Sequence, residues 1–315
     1  MQTLSFNRGA IQRLTYGADG RSLVVISRSP YATQVWCCDL GRGEIFSEID
    51  PTAHWSGGWA GQLLVTPDGR KLLELSLPRP RVIVRAWELP GGDGPSVHDA
   101  DERVLPVDSA MGNLQCPQFT PDCRTLIAAQ PLLTREPTSE FWSWRIGSRQ
   151  WQRSPRFLQW VREFATDGRR FVIRKAHRAG LGLYDGLAWE SLRDIDFDPG
   201  DCRLLLAPDG NSAFGLSPEG DLPLWQWLFE KNKVRPLKGH RDGAVTDLAF
   251  TADGKAVSVG DDGRARLWDP ATSRSLGGER FEVGPLTAVA CSPLGRTLAA
   301  GSADGRIVVW DAAVG

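Results

Sequence analysis

The feature that most restricts the fold of this chain is a short pattern that recurs seven times: an apolar segment, a tight turn of the Pro/Ala-Asp-Gly type, and a second apolar segment. The turns end at Gly20, Gly69, Cys123, Gly168, Gly210, Gly254 and Gly295. Gly reaches positive φ without steric cost, and an Asp side chain can accept hydrogen bonds from the backbone of its own turn. Because successive turns lie 41 to 54 residues apart, the chain consists of seven similar units.

An aromatic residue follows each turn, in a third apolar segment. The candidates are, in order, Trp36, Trp87, Trp142 or Trp144, Tyr184, Trp225 or Trp227, Trp268 and Trp310. A large flat side chain at the same place in every unit would fill the wedge between neighbouring sheets. The alternative is a row of aromatic residues that stacks on sugars or bases. Repeats of this length with several short strands are typical of β-propellers, so we predict an all-β, seven-bladed β-propeller of four-stranded antiparallel blades.

The composition limits the alternatives. With 34 Gly and 21 Pro among 315 residues, the chain has few segments that could sustain helices. The 37 Lys and Arg residues balance 38 Asp and Glu residues, so no net charge would attract nucleic acid or anionic lipid. No apolar run suits a membrane span or a secretion signal, and the six cysteines lack metal-type spacing. We therefore expect a cytoplasmic protein with free thiols, whose oligomeric state stays open.

Two segments near the C-terminus share a longer motif. The first runs from Gly239-His240 to Trp268-Asp269, and the second ends at Trp310-Asp311 but has Phe281-Glu282 where Gly-His would be expected. These segments resemble the repeats of the WD40 family. In the earlier units the Trp-Asp pair becomes Trp36-Cys37, Trp87-Glu88 or Tyr184-Asp185. The resemblance implies a propeller that binds other proteins.

The two chain ends predict how the propeller closes. Four residues follow Asp311, too few for the outermost strand of the seventh blade, whereas Gln2–Phe6 is an alternating apolar segment that precedes the first unit. We predict that this N-terminal strand completes the last blade, because an open ring would leave two unpaired strand edges. The expected blades are approximately 10–52, 58–109, 112–156, 157–200, 201–238, 239–280, and 281–315 together with 1–8.

His240, Ser258, Asp262 and Trp268 contain the parts of a Ser-His-Asp triad. Ser258 lies in Ala-Val-Ser-Val-Gly, which lacks the strained turn that presents a nucleophile. The WD40 resemblance implies instead a buried hydrogen-bond chain that runs from the indole through the hydroxyl and the imidazole to the carboxylate. We expect this structural role and predict no catalytic residue.

Three other segments are weak candidates for ligand sites. Asp194–Asp201 places carboxylates at alternate positions, as a calcium loop does, but Pro199 stands where Gly is needed. His98–Asp101 lies in a loop and would need distant partners to bind a transition metal. Gly180–Gly186 has the wrong glycine spacing for a dinucleotide fingerprint. We predict no metal and no cofactor, with calcium at the acidic segment as the minor alternative.

The loops between the second and third strands are uneven in charge. Their summed charge is +5 over blades one to four and −3 over blades five to seven. Partners of WD40 proteins commonly dock on these loops, so the resemblance implies a basic arc suited to an acidic peptide or protein. The alternative is solvated charge without a ligand. The predicted partner-binding residues are Arg28, Arg79, Arg81, Arg135, Arg174, Lys175, His177 and Arg178.

The sequence therefore favours a non-catalytic scaffold that presents loop surfaces to a protein or peptide. Two other classes remain open. A hydrolase or lactonase-like propeller enzyme would need acids or metal ligands that converge from several blades. A propeller that binds a small molecule or a glycan would need its aromatic residues at exposed positions.

Overall fold

The computed structural model describes residues 1–311 apart from 7, 30–32, 50–61, 67–69, 77–81, 90–100, 106–114, 123, 133–137, 146–147, 149–150, 155–160, 176–179, 187, 218–221, 241–242 and 296. In this part of the chain the strands form seven four-stranded sheets, and helices are absent. The fold is all-β, and the sheets are the blades of a seven-bladed β-propeller, which confirms the predicted fold class.

The chain divides into two compact units. The first takes in Met1–Ser76, Ile83–Arg103 and Lys238–Gly315, and the second takes in Leu77–Val82 and Val104–Leu237. Blades 1, 6 and 7 and most of blade 2 belong to the first unit, and blades 3, 4 and 5 belong to the second.

The first unit contains the following strands: in blade 1, β2 (Ala10–Tyr16), β3 (Ser22–Arg28), β4 (Thr33–Asp39) and β5 (Glu44–Ile49); in blade 2, β6 (Gln62–Val65), β7 (Lys71–Ser76), β8 (Val82–Glu88) and β9 (Asp101–Leu105); in blade 6, β22 (Val245–Phe250), β23 (Ala256–Gly260), β24 (Arg264–Asp269) and β25 (Arg274–Arg280); in blade 7, β26 (Leu286–Cys291), β27 (Thr297–Ser302), β28 (Arg306–Asp311) and β1 (Gln2–Ser5).

The second unit contains, in blade 3, β10 (Gln115–Phe119), β11 (Thr125–Leu132), β12 (Thr138–Arg145) and β13 (Trp151–Arg153); in blade 4, β14 (Val161–Thr166), β15 (Arg170–Lys175), β16 (Leu181–Asp185) and β17 (Ser191–Ile195); in blade 5, β18 (Arg203–Leu206), β19 (Ser212–Leu216), β20 (Leu224–Leu228) and β21 (Lys233–Pro236). In every blade the first strand leads into the second at one end, here called the turn end. The second strand leads into the third at the opposite end, here called the loop end.

The N-terminal strand completes the seventh blade, as predicted. Strand β1 pairs antiparallel with β28, with Gln2 opposite Val309 and Ser5 opposite Arg306. The side chain of Leu4 is buried in an apolar cluster that blades 7 and 1 share. The first residues of the chain therefore cover the outer edge of its last strand.

The hairpin turns of four blades have the predicted side-chain chemistry, whereas in blade 6 the carboxylate of Asp253 accepts from the Thr251 hydroxyl and in blade 7 Leu294 stands at the Asp position. An Asp carboxylate in each turn of blades 1, 3, 4 and 5 accepts a hydrogen bond from the backbone N–H two residues later, at 2.8 to 3.1 Å. The glycines that close five of the turns, Gly20, Gly168, Gly210, Gly254 and Gly295, have φ between 64° and 87°. Asp68, Gly69 and Cys123 lie outside the described residues. The Asp-Gly pair thus sets the turn end of the blades.

The core consists of apolar clusters that each join two successive blades. Within the first unit such clusters join blades 6 and 7, 7 and 1, and 1 and 2, and within the second unit they join blades 3 and 4 and blades 4 and 5. Cys37 packs in the cluster of blades 1 and 2, and Cys38 packs in that of blades 7 and 1. Adjacent residues of one strand face opposite sides of the sheet, so a blade contributes to the core on both of its faces.

All the candidate aromatic residues of the third strands are buried. The strand registers decide between the paired candidates: Trp144 lies opposite Leu126 and Trp227 lies opposite Ala213, as Trp268 lies opposite Ala256. Their burial matches the predicted role in the core and argues against a row of aromatic residues that stacks on sugars or bases.

The structure of blade 1 corrects the predicted position of its Trp-Asp pair. Cys38, not Trp36, has the register of Trp268, because Cys38 lies opposite Leu23 and follows the same bulge between the third and fourth strands. The carbonyls of Asp39 and Asp269 each accept a backbone N–H from four residues later, both at 2.8 Å. The Trp-Asp position of blade 1 is therefore Cys38-Asp39. Trp36 lies two residues earlier, on the same face of the strand.

Candidate functional site

The structure brings the side chains of His240, Ser258, Asp262 and Trp268 together at the loop end of blade 6. The indole N–H of Trp268 donates to Oγ of Ser258 at 2.8 Å. Nε2 of His240 lies 2.8 Å from the same oxygen, and Nδ1 lies 3.0 Å from Oδ1 of Asp262. With Nδ1 protonated, the imidazole donates to the carboxylate and accepts from the hydroxyl. The four groups form one continuous chain of hydrogen bonds.

The burial of these four hydrogen-bonded side chains argues against a nucleophilic role for Ser258. Ser258 is 0% exposed and the side chain of His240 is 2% exposed, so a substrate has no access to the hydroxyl oxygen. Burial lowers the pKa of His240 below its ordinary value of 6.5, against the opposing effect of Asp262. A neutral imidazole is the form that the chain of hydrogen bonds requires. The arrangement satisfies buried polar groups and ties the loop end of blade 6 to its second and third strands.

Blade 7 replaces the same arrangement by an apolar contact. Phe281 precedes the first strand by five residues, as His240 does in blade 6, and Ala300 has the register of Ser258. The rings of Phe281 and Trp310 lie 4.9 Å apart between their centroids. The same position of the blade is therefore filled by hydrogen-bonded side chains in blade 6 and by a contact between two aromatic rings in blade 7.

The predicted partner-binding residues have different surroundings. Arg28 is exposed at the loop end of blade 1. Arg174 and Lys175, at the loop end of blade 4, form ion pairs with Asp201 and Asp194. Arg79, Arg81, Arg135, His177 and Arg178 lie outside the described residues, as does most of the long loop 131–138.

Carboxylates of the acidic segment 194–201 pair with these basic residues. Nη2 of Arg174 donates to Oδ1 of Asp201 at 2.7 Å, and Nη1 of Arg162 lies 3.7 Å from the same oxygen. This hydrogen bond lowers the pKa of Asp201, so the group stays ionised. The sequence gives no signal for Arg162, because Arg162 and Asp201 are 39 residues apart and no local pattern joins them.

A thiol and a carboxyl group lie beside this ion pair. Sγ of Cys116, on β10, lies 3.2 Å from Oε2 of Glu163 on β14. Burial raises the pKa of Glu163 above its ordinary value of 4.5, although Arg203 and Arg174 oppose the shift. Burial also raises the pKa of the Cys116 thiol to about 12, and the Glu163 charge adds to the effect. Cys116 is thus a protonated hydrogen-bond donor rather than a reactive thiolate.

The remaining candidates from the sequence have structural surroundings. Among the described residues, no group of three or more His, Cys, Asp and Glu side chains is placed to hold a metal ion. Gly182 gives room to a neighbouring side chain, because a Cβ there would come within 2.4 Å of the Tyr184 ring. His98 lies outside the described residues. The described part of the chain contains no helix that is long and apolar enough to cross a membrane.

Comparison with known proteins gives two kinds of similarity. The family described as WD domain, G-beta repeat matches residues 231–269 and 274–311. The chain is similar to the guanine nucleotide-binding protein subunit beta of Oryza sativa subsp. japonica, with 33% identity over 111 residues, and of Arabidopsis thaliana, with 37% over 98 residues. It is also similar to the periodic tryptophan protein 2 homolog of Dictyostelium discoideum, with 31% identity over 102 residues.

These similarities are confined to part of each chain. They cover 33%, 29% and 31% of this chain and 29%, 26% and 11% of the three relatives, so the chain spans less than a third of each relative's length. The matched repeats contain the hydrogen-bond chain of blade 6 and the Phe281–Trp310 contact of blade 7. The matched repeats and the seven four-stranded blades confirm the resemblance of this chain to the WD40-repeat β-propellers.

Proposed function

We propose that this protein is a non-catalytic scaffold that binds an acidic protein or peptide through basic side chains at the loop ends of its blades. The observation that carries the proposal is a contrast in exposure. The side chains suited to catalysis or to stacking, Ser258, His240 and the tryptophans of the third strands, are buried within the blades, whereas Arg28 reaches solvent at a loop end.

Two other observations support this function. The plant relatives are named as subunits, which agrees with a propeller that works by holding other proteins. Arginine pairs with carboxylates through two parallel hydrogen bonds, so a basic loop end suits an acidic partner.

We also propose a cytoplasmic location, since the five cysteines within the described residues are free thiols and a reducing compartment keeps them so.

The test compares charge reversal at the two ends of the same blades. One variant carries Arg28→Glu, Arg79→Glu and Arg178→Glu, which the sequence places at the loop ends of blades 1, 2 and 4. The control carries Arg21→Glu, Arg70→Glu and Arg169→Glu, three exposed arginines at the turn ends of those blades. Both variants remove the same charge, so they separate a local site from a general charge effect.

The measurement is capture of proteins from the native cell lysate on the immobilised full chain, followed by mass spectrometry. We expect the loop-end variant to lose the proteins that the wild type captures and the turn-end control to retain them. Equal capture by the wild type and the loop-end variant, with matching melting curves, would refute the proposed function.

A further inference from the structure

Arg162, Arg174 and Asp201 form a small charged site in the second unit. Arg162 lies on β14, Arg174 on the neighbouring strand β15, and Asp201 just before β18. A single carboxylate oxygen, Oδ1 of Asp201, lies 2.7 Å from Arg174 and 3.7 Å from Arg162. The two guanidinium groups therefore converge on one carboxylate.

The exposure of the three side chains is unequal. Arg174 is 11% exposed, whereas Asp201 is 86% exposed and Arg162 is 57% exposed. A guanidinium that is largely withdrawn from water needs an anionic partner, because its lost hydration is otherwise uncompensated. The exposed Asp201 supplies that partner but is itself weakly held, since solvent screens exposed ion pairs. Burial holds Arg174 in place, whereas its acidic partner is exposed and can be replaced.

The present pairing uses little of the hydrogen-bonding capacity of the two arginines. Among the described residues, the side chain of Arg174 donates one hydrogen bond, from Nη2, to a single oxygen of Asp201. A guanidinium has five N–H donors in a planar fork and pairs best with both oxygens of a carboxylate. A carboxylate that arrives from solvent can thus form a better-matched pair than Asp201 does.

The surroundings of the site favour an added negative charge. Arg203 is exposed on β18 and, with Arg174, acts on Glu163 through its charge. Burial raises the pKa of Glu163 and so disfavours its charged form, and the Cys116 thiol beside it is protonated. Two arginines therefore face an occupant that contributes one exposed carboxylate.

We propose that Arg162 and Arg174 form a binding site for an acidic side chain of the protein partner, and that Asp201 occupies this site until the partner displaces it. The inference rests on the proposed function and names the place in blade 4 where the acidic partner is held. Asp201 acts as an internal competitor, so the apparent affinity is reduced by the fraction of molecules in which Asp201 is bound.

The test uses a fluorescently labelled short polyglutamate peptide and the full chain, with binding measured by fluorescence anisotropy at low salt. Asp201→Asn removes the competitor and is expected to tighten binding roughly three- to tenfold. The matched control is Asp196→Asn, which removes the same charge from an exposed position five residues earlier. We expect Asp196→Asn to change the affinity much less than Asp201→Asn does.

A second pair of variants tests the arginines. Arg162→Gln is expected to weaken peptide binding about tenfold, as the loss of one charge-assisted contact does. Arg169→Gln removes an exposed arginine at the turn end of the same blade and is expected to leave binding unchanged. Matching melting curves for all four variants exclude loss of the fold as the cause.

Three outcomes would overturn the inference: equal affinities of Asp201→Asn and Asp196→Asn, equal affinities of Arg162→Gln and Arg169→Gln, or no binding of the peptide to Asp201→Asn. Displacement of the peptide by inorganic phosphate at equal concentration would assign the site to free phosphate and would also overturn it. Failure here leaves the capture experiment on Arg28, Arg79 and Arg178 unaffected, so the two proposals fail separately.

Discussion

The carboxyl group of Glu163 gives a test at the scale of one residue. Burial raises its pKa above the ordinary value of 4.5, so the folded protein holds this proton more tightly than the unfolded chain does. The free energy of unfolding therefore falls as pH rises from about 4.5 through the folded-state pKa. Above that pH the folded state carries a buried charge.

Glu163→Gln should stabilise the protein at neutral pH, because the amide retains an acceptor for the Cys116 thiol and carries no charge. The stability difference between variant and wild type should increase as pH rises from 4 to 8. Urea unfolding at several pH values measures this difference, with Glu190→Gln as the exposed control. A variant that is less stable than the wild type at pH 8 would contradict this account of the site.

His240 makes the opposite prediction about pH. Its pKa is lowered by burial, so the unfolded chain binds a proton more readily than the folded protein does. The free energy of unfolding should therefore be fully retained above pH 6.5 and should decrease as pH falls from 6.5 towards the folded-state pKa.

The measurement compares thermal unfolding of the wild type and His240→Phe between pH 5 and pH 7.5. The melting temperature of the variant should depend less on pH over this interval, because the titrating group has been removed. Equal slopes for the two proteins would show that His240 does not titrate with folding.

At the scale of the element, blades 6 and 7 provide a natural comparison. His240→Ala should destabilise the protein by about 1 to 3 kcal/mol, because Ser258 and Asp262 would lose a hydrogen-bond partner inside the blade. Ser258→Ala should have a similar effect, since Trp268 and His240 both bond to that oxygen.

The double variant His240→Phe, Ser258→Ala copies the side chains that blade 7 has at Phe281 and Ala300. Replacing both partners of a buried hydrogen bond by apolar groups costs less than removing one of them. We expect the double variant to be less destabilised than the sum of His240→Phe and Ser258→Ala, by about 1 kcal/mol, in a double-mutant cycle measured by chemical unfolding. Strict additivity would contradict a continuous hydrogen-bond chain.

The elements also show what the sequence could and could not predict. The Asp-Gly turns were predictable because Gly at positive φ and Asp at the preceding position act locally, within a few residues. In blade 1 the sequence pattern assigns the Trp-Asp position to Trp36, whereas the true position is Cys38, two residues later. Residues i and i+2 share a face of a strand, so either can fill the same wedge between blades. The sequence alone does not distinguish these positions, whereas the bulge after Cys37 does.

The charged site of blade 4 could not be predicted for a different reason. Arg162, Arg174 and Asp201 come from three segments, and their meeting depends on how β14, β15 and the start of β18 pack. In the sequence Arg174 belongs to a basic loop, and no local pattern indicates that Asp201 of the acidic segment pairs with it.

At the scale of the whole molecule, the seven blades are similar in construction, and their buried faces differ in composition from their exposed ends. The buried faces hold the aromatic residues and the hydrogen-bonded side chains of blade 6, whereas charged side chains such as Arg28, Arg162 and Asp201 are exposed at the ends of the blades. A propeller of this kind can change its binding specificity through the loops without altering the blades. The proposed scaffold function and the proposed site at Arg162 and Arg174 both follow from this division.

The central claim is that the blades belong to one propeller whose last blade is completed by the first residues of the chain. Deleting residues 1 to 8 removes β1, exposes the edge of β28 and removes Leu4 from the cluster of blades 7 and 1. The most direct test is thermal unfolding of this deletion variant with and without a synthetic peptide of residues 1 to 8. We predict a marked fall in melting temperature that the added peptide partly restores, whereas an unchanged melting curve after the deletion would contradict the claim.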